Sequence, residues 1–200
     1  MLRENILILN NSFDNVYIVD NSGLELKSED VKFFSNNDIK LISYLERISH
    51  ENTGYLEARI YDYFIEKEGK NIDENDLIFK ISGRYSPKNF QSYANFNNGF
   101  VINFYPNLFN IKRGIVSSIF SLRFSEFKKF TIQLNKEPFL EPLEIKLQRF
   151  IKVFRGESFF IIYPRFNMKS GASGRPYSSI KREKLRFFLS YFFRFGIRLR

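Results

Sequence analysis

The last 36 residues constrain this chain more than any other part of it. From Arg165 to Arg200 there are 10 basic residues and one acid, Glu183, a sum of +9 that equals the formal net charge of the whole 200-residue protein. The remaining 164 positions hold 21 basic and 21 acidic side chains. A stretch of one charge sign, interleaved with aromatics, repels itself until something anionic meets it, and nucleic-acid phosphate is the first candidate. The imbalance builds along the chain. Residues 1–80 carry 16 acids against 9 bases, whereas residues 81–164 carry 5 acids against 12 bases. This gradient predicts an acidic N-terminal lobe over 1–109 and a basic RNA-binding lobe over 110–200.

Composition narrows the chemistry. The chain has no Cys, so disulfides, thiolate zinc sites, iron–sulfur clusters and a Cys nucleophile are all excluded. One histidine, His50, is too few for a His-based metal centre. The acids Glu57, Asp62, Glu66 and Glu68 read as a solvated helix face, since general acid–base chemistry needs carboxylates paired in a pocket. The expectation is therefore a non-enzyme with no cofactor and no small-molecule substrate. The longest apolar cluster, Leu185 to Phe193, is half of the roughly 20 residues a membrane span requires, so no span is expected. The 25 Phe, with abundant Ile, Asn and Lys, are what an A+T-rich coding sequence gives, as in many organelle genomes. Neither a secretory signal nor a transit peptide is read at the start, which points to a protein made in the organelle where it works.

Hydrophobic periodicity predicts an α+β fold. Ile6–Leu9 and Val16–Val19 read as strands of an N-terminal meander. Ser35–Asp38 offers caps for a helix with Ile39, Ile42, Leu45 and Ile48 on one stripe, and a second helix is expected from Tyr55 to Glu68, with Leu56, Ile60 and Phe64 inward. Leu77–Ile81 and Phe100–Tyr105 are expected strands. The polar-aromatic run from Arg84 to Asn98 is a loop whose Tyr85, Phe90, Tyr93 and Phe96 either stack on unpaired bases or pack on the domain. Ile115, Ile119 and Leu122 fit a helix face, and Phe130–Leu134 reads as a strand. Leu143 to Phe154 alternates locally as a strand would, but its length favours a helix burying Leu143, Leu147, Phe150, Ile151 and Phe154. Phe159–Tyr163 is a buried strand.

The tail reads as loop, capped helix and last strand. Lys169–Pro176 is a Gly-containing basic loop, either a backbone that approaches phosphate closely or a linker. Ser178 or Ser179 caps a helix reaching Phe193, with Arg182 and Arg186 on its narrow polar stripe, and Arg194 to Arg200 alternates cation with apolar residue. The expected RNA contacts are Lys128 and Lys129; Arg165, Lys169 and Arg175 around the glycine loop; Lys181, Arg182, Lys184 and Arg186 on the helix; and Arg194, Arg198 and Arg200 at the end.

Residues 110–200 resemble the eighth small-subunit ribosomal protein family. The resemblance is carried by Ile115–Arg123, Lys128-Lys129, Phe130–Leu134 and Pro138 at its start, Ile162–Met168 in the middle and Phe195–Leu199 at its end. Ser173–Pro176, Lys184–Arg186 and Gly196–Arg198 are also similar to the end of the fourteenth family of the same subunit. The eighth family continues into a Ser/Thr-rich RNA-contacting loop that has no counterpart here, so no residue is carried over from it. Either resemblance implies a structural constituent of an organellar small ribosomal subunit in the mitochondrial matrix, with rRNA and neighbouring ribosomal proteins as partners. The alternative is a non-enzymatic subunit of a mitochondrial membrane-associated complex, its basic tail lying on anionic lipid.

Overall fold

A computed structural model gives the architecture, and residues 2–23, 25–47, 53–82, 100–103, 115–136, 140–153 and 160–162 are described here. They form an α+β fold. In chain order the elements are α1 (Leu2–Asn10), β1 (Tyr17–Asp20), α2 (Ser28–Asn36), β2 (Lys40–Ser43), α3 (Thr53–Glu68) with a 3-10 turn at Gly69–Asn71, β3 (Leu77–Ile81), β4 (Phe100–Asn103), β5 (Ile115–Arg123), α4 (Phe124–Lys136), α5 (Leu143–Val153) and β6 (Phe160–Ile162).

The first 43 residues build a parallel β–α–β unit where a meander was expected. β1 pairs with β2 in parallel from Tyr17↔Lys40 to Asp20↔Ser43, and parallel neighbours need a crossover, which α2 supplies. The run Ile6–Leu9 is helical, not a strand: Ile6 is buried and Leu9 packs beside it, one turn apart, while Leu7 and Ile8 face outward. Two polar ties hold α1 alongside α2. Arg3 donates twice to Asp30 Oδ1, at 3.1 and 2.7 Å, and Asn10 Nδ2 donates to the Asn37 carbonyl at 2.8 Å. Ser35–Asp38 ends a helix instead of starting one. Asp38 takes a left-handed φ of 54°, and the Asn37 and Ile39 N–H groups bond back to Phe34, a C-terminal cap. The expected helical stripe over Ile39, Ile42 and Leu45 is therefore strand β2 and its exit, with Ile42 buried and Leu45 57% exposed.

The main sheet has four strands in the order β3-β5-β4-β6. β5 runs antiparallel to both neighbours, pairing Leu77↔Arg123 through Ile81↔Ile119 on one side and Phe100↔Ser121 and Asn103↔Ile115 on the other. Against β4 the register jumps, from Val101↔Phe120 to Ile102↔Val116, so β5 bulges across Ser117–Ile119. β6 is parallel to β4. The expected helix over Ile115–Phe124 and strand over Phe130–Leu134 are thus exchanged: the first is β5 and the second lies inside α4. β5 is the cause. Ile119, Phe120, Ser121 and Leu122 are all completely buried, so both faces of the strand are covered and no period of two survives. In α4 the buried positions are Phe124, Phe127, Phe130, Thr131 and Leu134, a helical spacing.

α3, α4 and α5 pack on one face of this sheet over an aromatic core. Tyr61 lies 5.1 Å from Phe127, Phe120 lies 6.1 Å from Phe130 edge-on, and Phe130 lies 5.2 Å from Phe150. Each ring removed from water contributes about 2–3 kcal/mol, which gives the many phenylalanines a structural use. The expected inward residues of α5, Leu143, Leu147, Phe150 and Ile151, are all buried. On α3 the buried face turns out to be Ala58, Tyr61 and Phe64, with Leu56 and Ile60 half-buried at its edges. The N-terminal unit joins through Phe13, 4.6 Å from Phe79, and Tyr17, 5.2 Å from Phe64. Because β3 and β4 pair with β5, the change of charge near residue 110 falls inside one sheet and not between two lobes.

Candidate nucleic-acid interface

Of the expected RNA contacts, Lys128 and Lys129 are described. The ten from Arg165 to Arg200, with the glycine loop, the capped helix and the last strand, lie outside the described residues, as do Tyr85, Phe90, Tyr93, Phe96 and Phe154. Lys128 sits in the first turn of α4. Its ammonium pairs with Glu74 and lies 5.0 Å over the Phe124 ring. The charge thus fastens the 73–76 turn to α4, where Phe124 N–H also donates to the Asp76 carbonyl at 2.8 Å. Lys129 is exposed on the same turn.

Strand direction sets a polarity that the sequence did not show. β3, β4 and β6 all finish at the end of the sheet where β5 begins. At that end lies a half-buried polar cluster. Lys80, on β3, pairs with Glu57 of α3 and donates to Ser82 Oγ at 2.9 Å and to the Ser117 carbonyl at 2.7 Å. Ser117 Oγ donates to Glu144 in the first turn of α5 at 2.8 Å, and Tyr61 donates its hydroxyl to Glu57 at 2.7 Å. Burial first, and then the Glu57 carboxylate beside it, push the Tyr61 hydroxyl well above its ordinary value. The signal for this cluster was present in the sequence: Lys80 is the one charge in the apolar run Leu77–Ile81. A lysine there must either snorkel out or find partners, and here it finds three acceptors.

A second polar group lies on the outer side of α3. Arg59 reaches Glu46 at 3.6 Å and Asp62 at 3.6 Å, and Asn135 Nδ2 donates to both Asp62 oxygens at 2.7 Å. Burial raises the Asp62 carboxyl, an effect offset by Asn135 and Arg59. Tyr44 stacks on Tyr63 at 4.1 Å, and Lys67 lies 5.2 Å over the Tyr63 ring. Burial and the neighbouring Glu46 push the Tyr44 hydroxyl up to about 12.

Through its three acceptors the Lys80 ammonium ties β3 to α3 and β5. Among the described residues no three His, Cys, Asp or Glu side chains converge as metal ligands, and no helix is long and apolar enough to cross a membrane. The described residues hold 18 acids and 16 bases, so the scaffold is close to neutral and slightly acidic. No protein-family model matches the sequence, and no curated protein matches it either.

Proposed function

We propose that this protein is a structural constituent of an organellar small ribosomal subunit, in the mitochondrion, that binds rRNA backbone through its basic C-terminal region and contacts neighbouring ribosomal proteins. The observation that carries the reading is the segregation of charge. Residues 165–200 hold 10 bases and one acid, whereas the 164 residues before them hold 21 of each. So concentrated a cationic stretch on an otherwise neutral chain suits a partner met through many Lys/Arg–phosphate contacts, with shape giving placement. The ribosomal part of the reading is supported by the resemblances at Ile162–Met168, Ser173–Pro176, Lys184–Arg186 and Phe195–Leu199 and by a composition of organellar type. It acts by binding, not by catalysis.

The test is a salt series with the full-length chain and a variant in which the ten Lys and Arg residues from 165 to 200 are replaced by Gln. Wild-type affinity for small-subunit rRNA should fall steeply with salt, with a slope of roughly −0.7 to −0.9 per neutralised phosphate. The variant should bind weakly with a shallow slope. Equal affinity and equal slope for the two proteins would refute the reading, and flotation of the wild-type chain with anionic vesicles in preference to rRNA would replace it with the lipid alternative.

A further inference from the structure

The three helices on the sheet each bury one side and turn the other to solvent, and their charges sort accordingly. The exposed cations are Arg59, Lys67 and Lys70 on α3 and its 3-10 turn, Lys129 and Lys136 on α4, and Arg149 on α5. Among the described residues of these elements Glu66 is the one exposed acid. Composition does not explain this, because the same helices contain six acids. Five of them are held by partners: Glu57 meets Lys80 and Tyr61, Asp62 accepts from Asn135, and Glu68 pairs with Lys40. Glu126 is buried and accepts the Arg123 N–H, and Glu144 accepts from Ser117.

We propose that this outward face of the helical layer is a second rRNA contact, made by the folded body in addition to the C-terminal region. The inference rests on the RNA-binding reading and adds a place and named residues to it. A helix face that serves only solubility interleaves acids with bases three or four residues apart. α4 instead presents Lys129, Ile132 and Lys136 on its solvent side, with its one acid turned inward. Cations gathered on one face raise the local potential, which draws phosphate. Phe124, Phe127, Phe130 and Phe150 of α4 and α5 are all buried, so the face has no aromatic edge of the kind that enters a bilayer. The rest of the described surface leans the other way, with seven exposed acids against five exposed bases. Asp14, Glu25, Glu29 and Asp38 lie on the N-terminal unit; Asp73, Glu74 and Asp76 lie on the turn that bounds the face at the start of α4, where Lys128 offsets Glu74.

Arg59 and Arg149 also hold acids, Glu46, Asp62 and Glu141, so the test uses lysines. Two full-length variants of equal net charge are compared, both with the C-terminal cations intact. Lys129→Gln with Lys136→Gln neutralises the face, and Lys27→Gln with Lys32→Gln neutralises two exposed positions at α2. Against a transcript of the organelle's small-subunit rRNA, the first variant should bind several-fold more weakly than wild type. Its salt slope should be shallower by roughly 1.4–1.8, two phosphates' worth. The second variant should bind as wild type does. Equal losses from both pairs, or no loss from the first, overturns the placement while leaving RNA binding intact. Failure of the wild-type chain to bind the transcript overturns the RNA-binding reading itself, and the placement with it. If the first variant melts below wild type, Lys67→Gln with Lys70→Gln, from the same face, decides in its stead.

Discussion

Tyr61 shows how one buried hydroxyl couples the core to pH. Its ring is packed in the aromatic cluster, and its O–H donates to a carboxylate that also holds Lys80. In the unfolded chain a tyrosine ionises near its ordinary value of about 10, whereas the native site keeps the proton to much higher pH. The stabilisation is therefore fully present below pH 10 and is lost as pH rises above it. Tyr61→Phe keeps the ring but deletes the bond, and at neutral pH it should cost about 1–2 kcal/mol. Urea unfolding in a series from neutral to about pH 11 should show this gap narrowing as the unfolded tyrosine of the wild type ionises. A gap that stays constant over that range would mean the hydroxyl does not titrate as its surroundings require. Lys80 itself was visible as a charge in an apolar run, yet Glu57, Ser117 and Glu144 come from elements distant in sequence, so its partners were not.

At the scale of elements, legibility followed solvent. α3 and α5 each present one buried and one wet face, so their 3.6-residue period survives in the sequence and both were read with nearly correct bounds. β5 is buried on both sides from Ile119 to Leu122, and Ile115, Ile119 and Leu122, spaced four and three apart, matched a helix by coincidence. The first turn of α4 then had to be found from its cap: Glu126 Oε2 accepts the Arg123 N–H at 3.1 Å, three residues back. β2 was lost for another reason, since its paired strand, β1, is joined to it by a crossover rather than by a turn that would mark a hairpin. Gly23 marks where that crossover begins. Its φ of +64° is left-handed, and a Cβ there would stand 2.7 Å from Leu45 Cδ1 and 3.1 Å from Leu45 Cα. Gly23→Ala should cost about 1–2 kcal/mol, seen as a Tm lowered by roughly 2–6 °C. An unchanged Tm would show that the turn relaxes freely.

For the whole molecule, the candidate interface was legible as charge but not as place. The excess of cations from Arg165 onward needs no structure to see, while the strand order β3-β5-β4-β6 depends on pairings distant in sequence, which a single sequence does not carry. The acidic and basic halves also looked separable, and the sheet joins them. β5 without β3 and β4 loses a hydrogen-bonded neighbour on each side, and β3 without β5 is a bare edge. Separately produced fragments 1–109 and 110–200 should therefore lack a cooperative unfolding transition and regain it on mixing, as followed by circular dichroism. Two independent transitions would show that the halves fold alone.

The same pairing has a consequence for synthesis. Leu77 waits for Arg123, and Phe100 waits for Phe160, before its strand is complete. During translation β3 and β4 therefore emerge as unpaired strands, and the sheet closes only when more than three quarters of the chain has been made. Closing such long loops is slow and leaves apolar strand edges open meanwhile. A chain built this way is most exposed to mispairing while it is still attached to the ribosome that makes it.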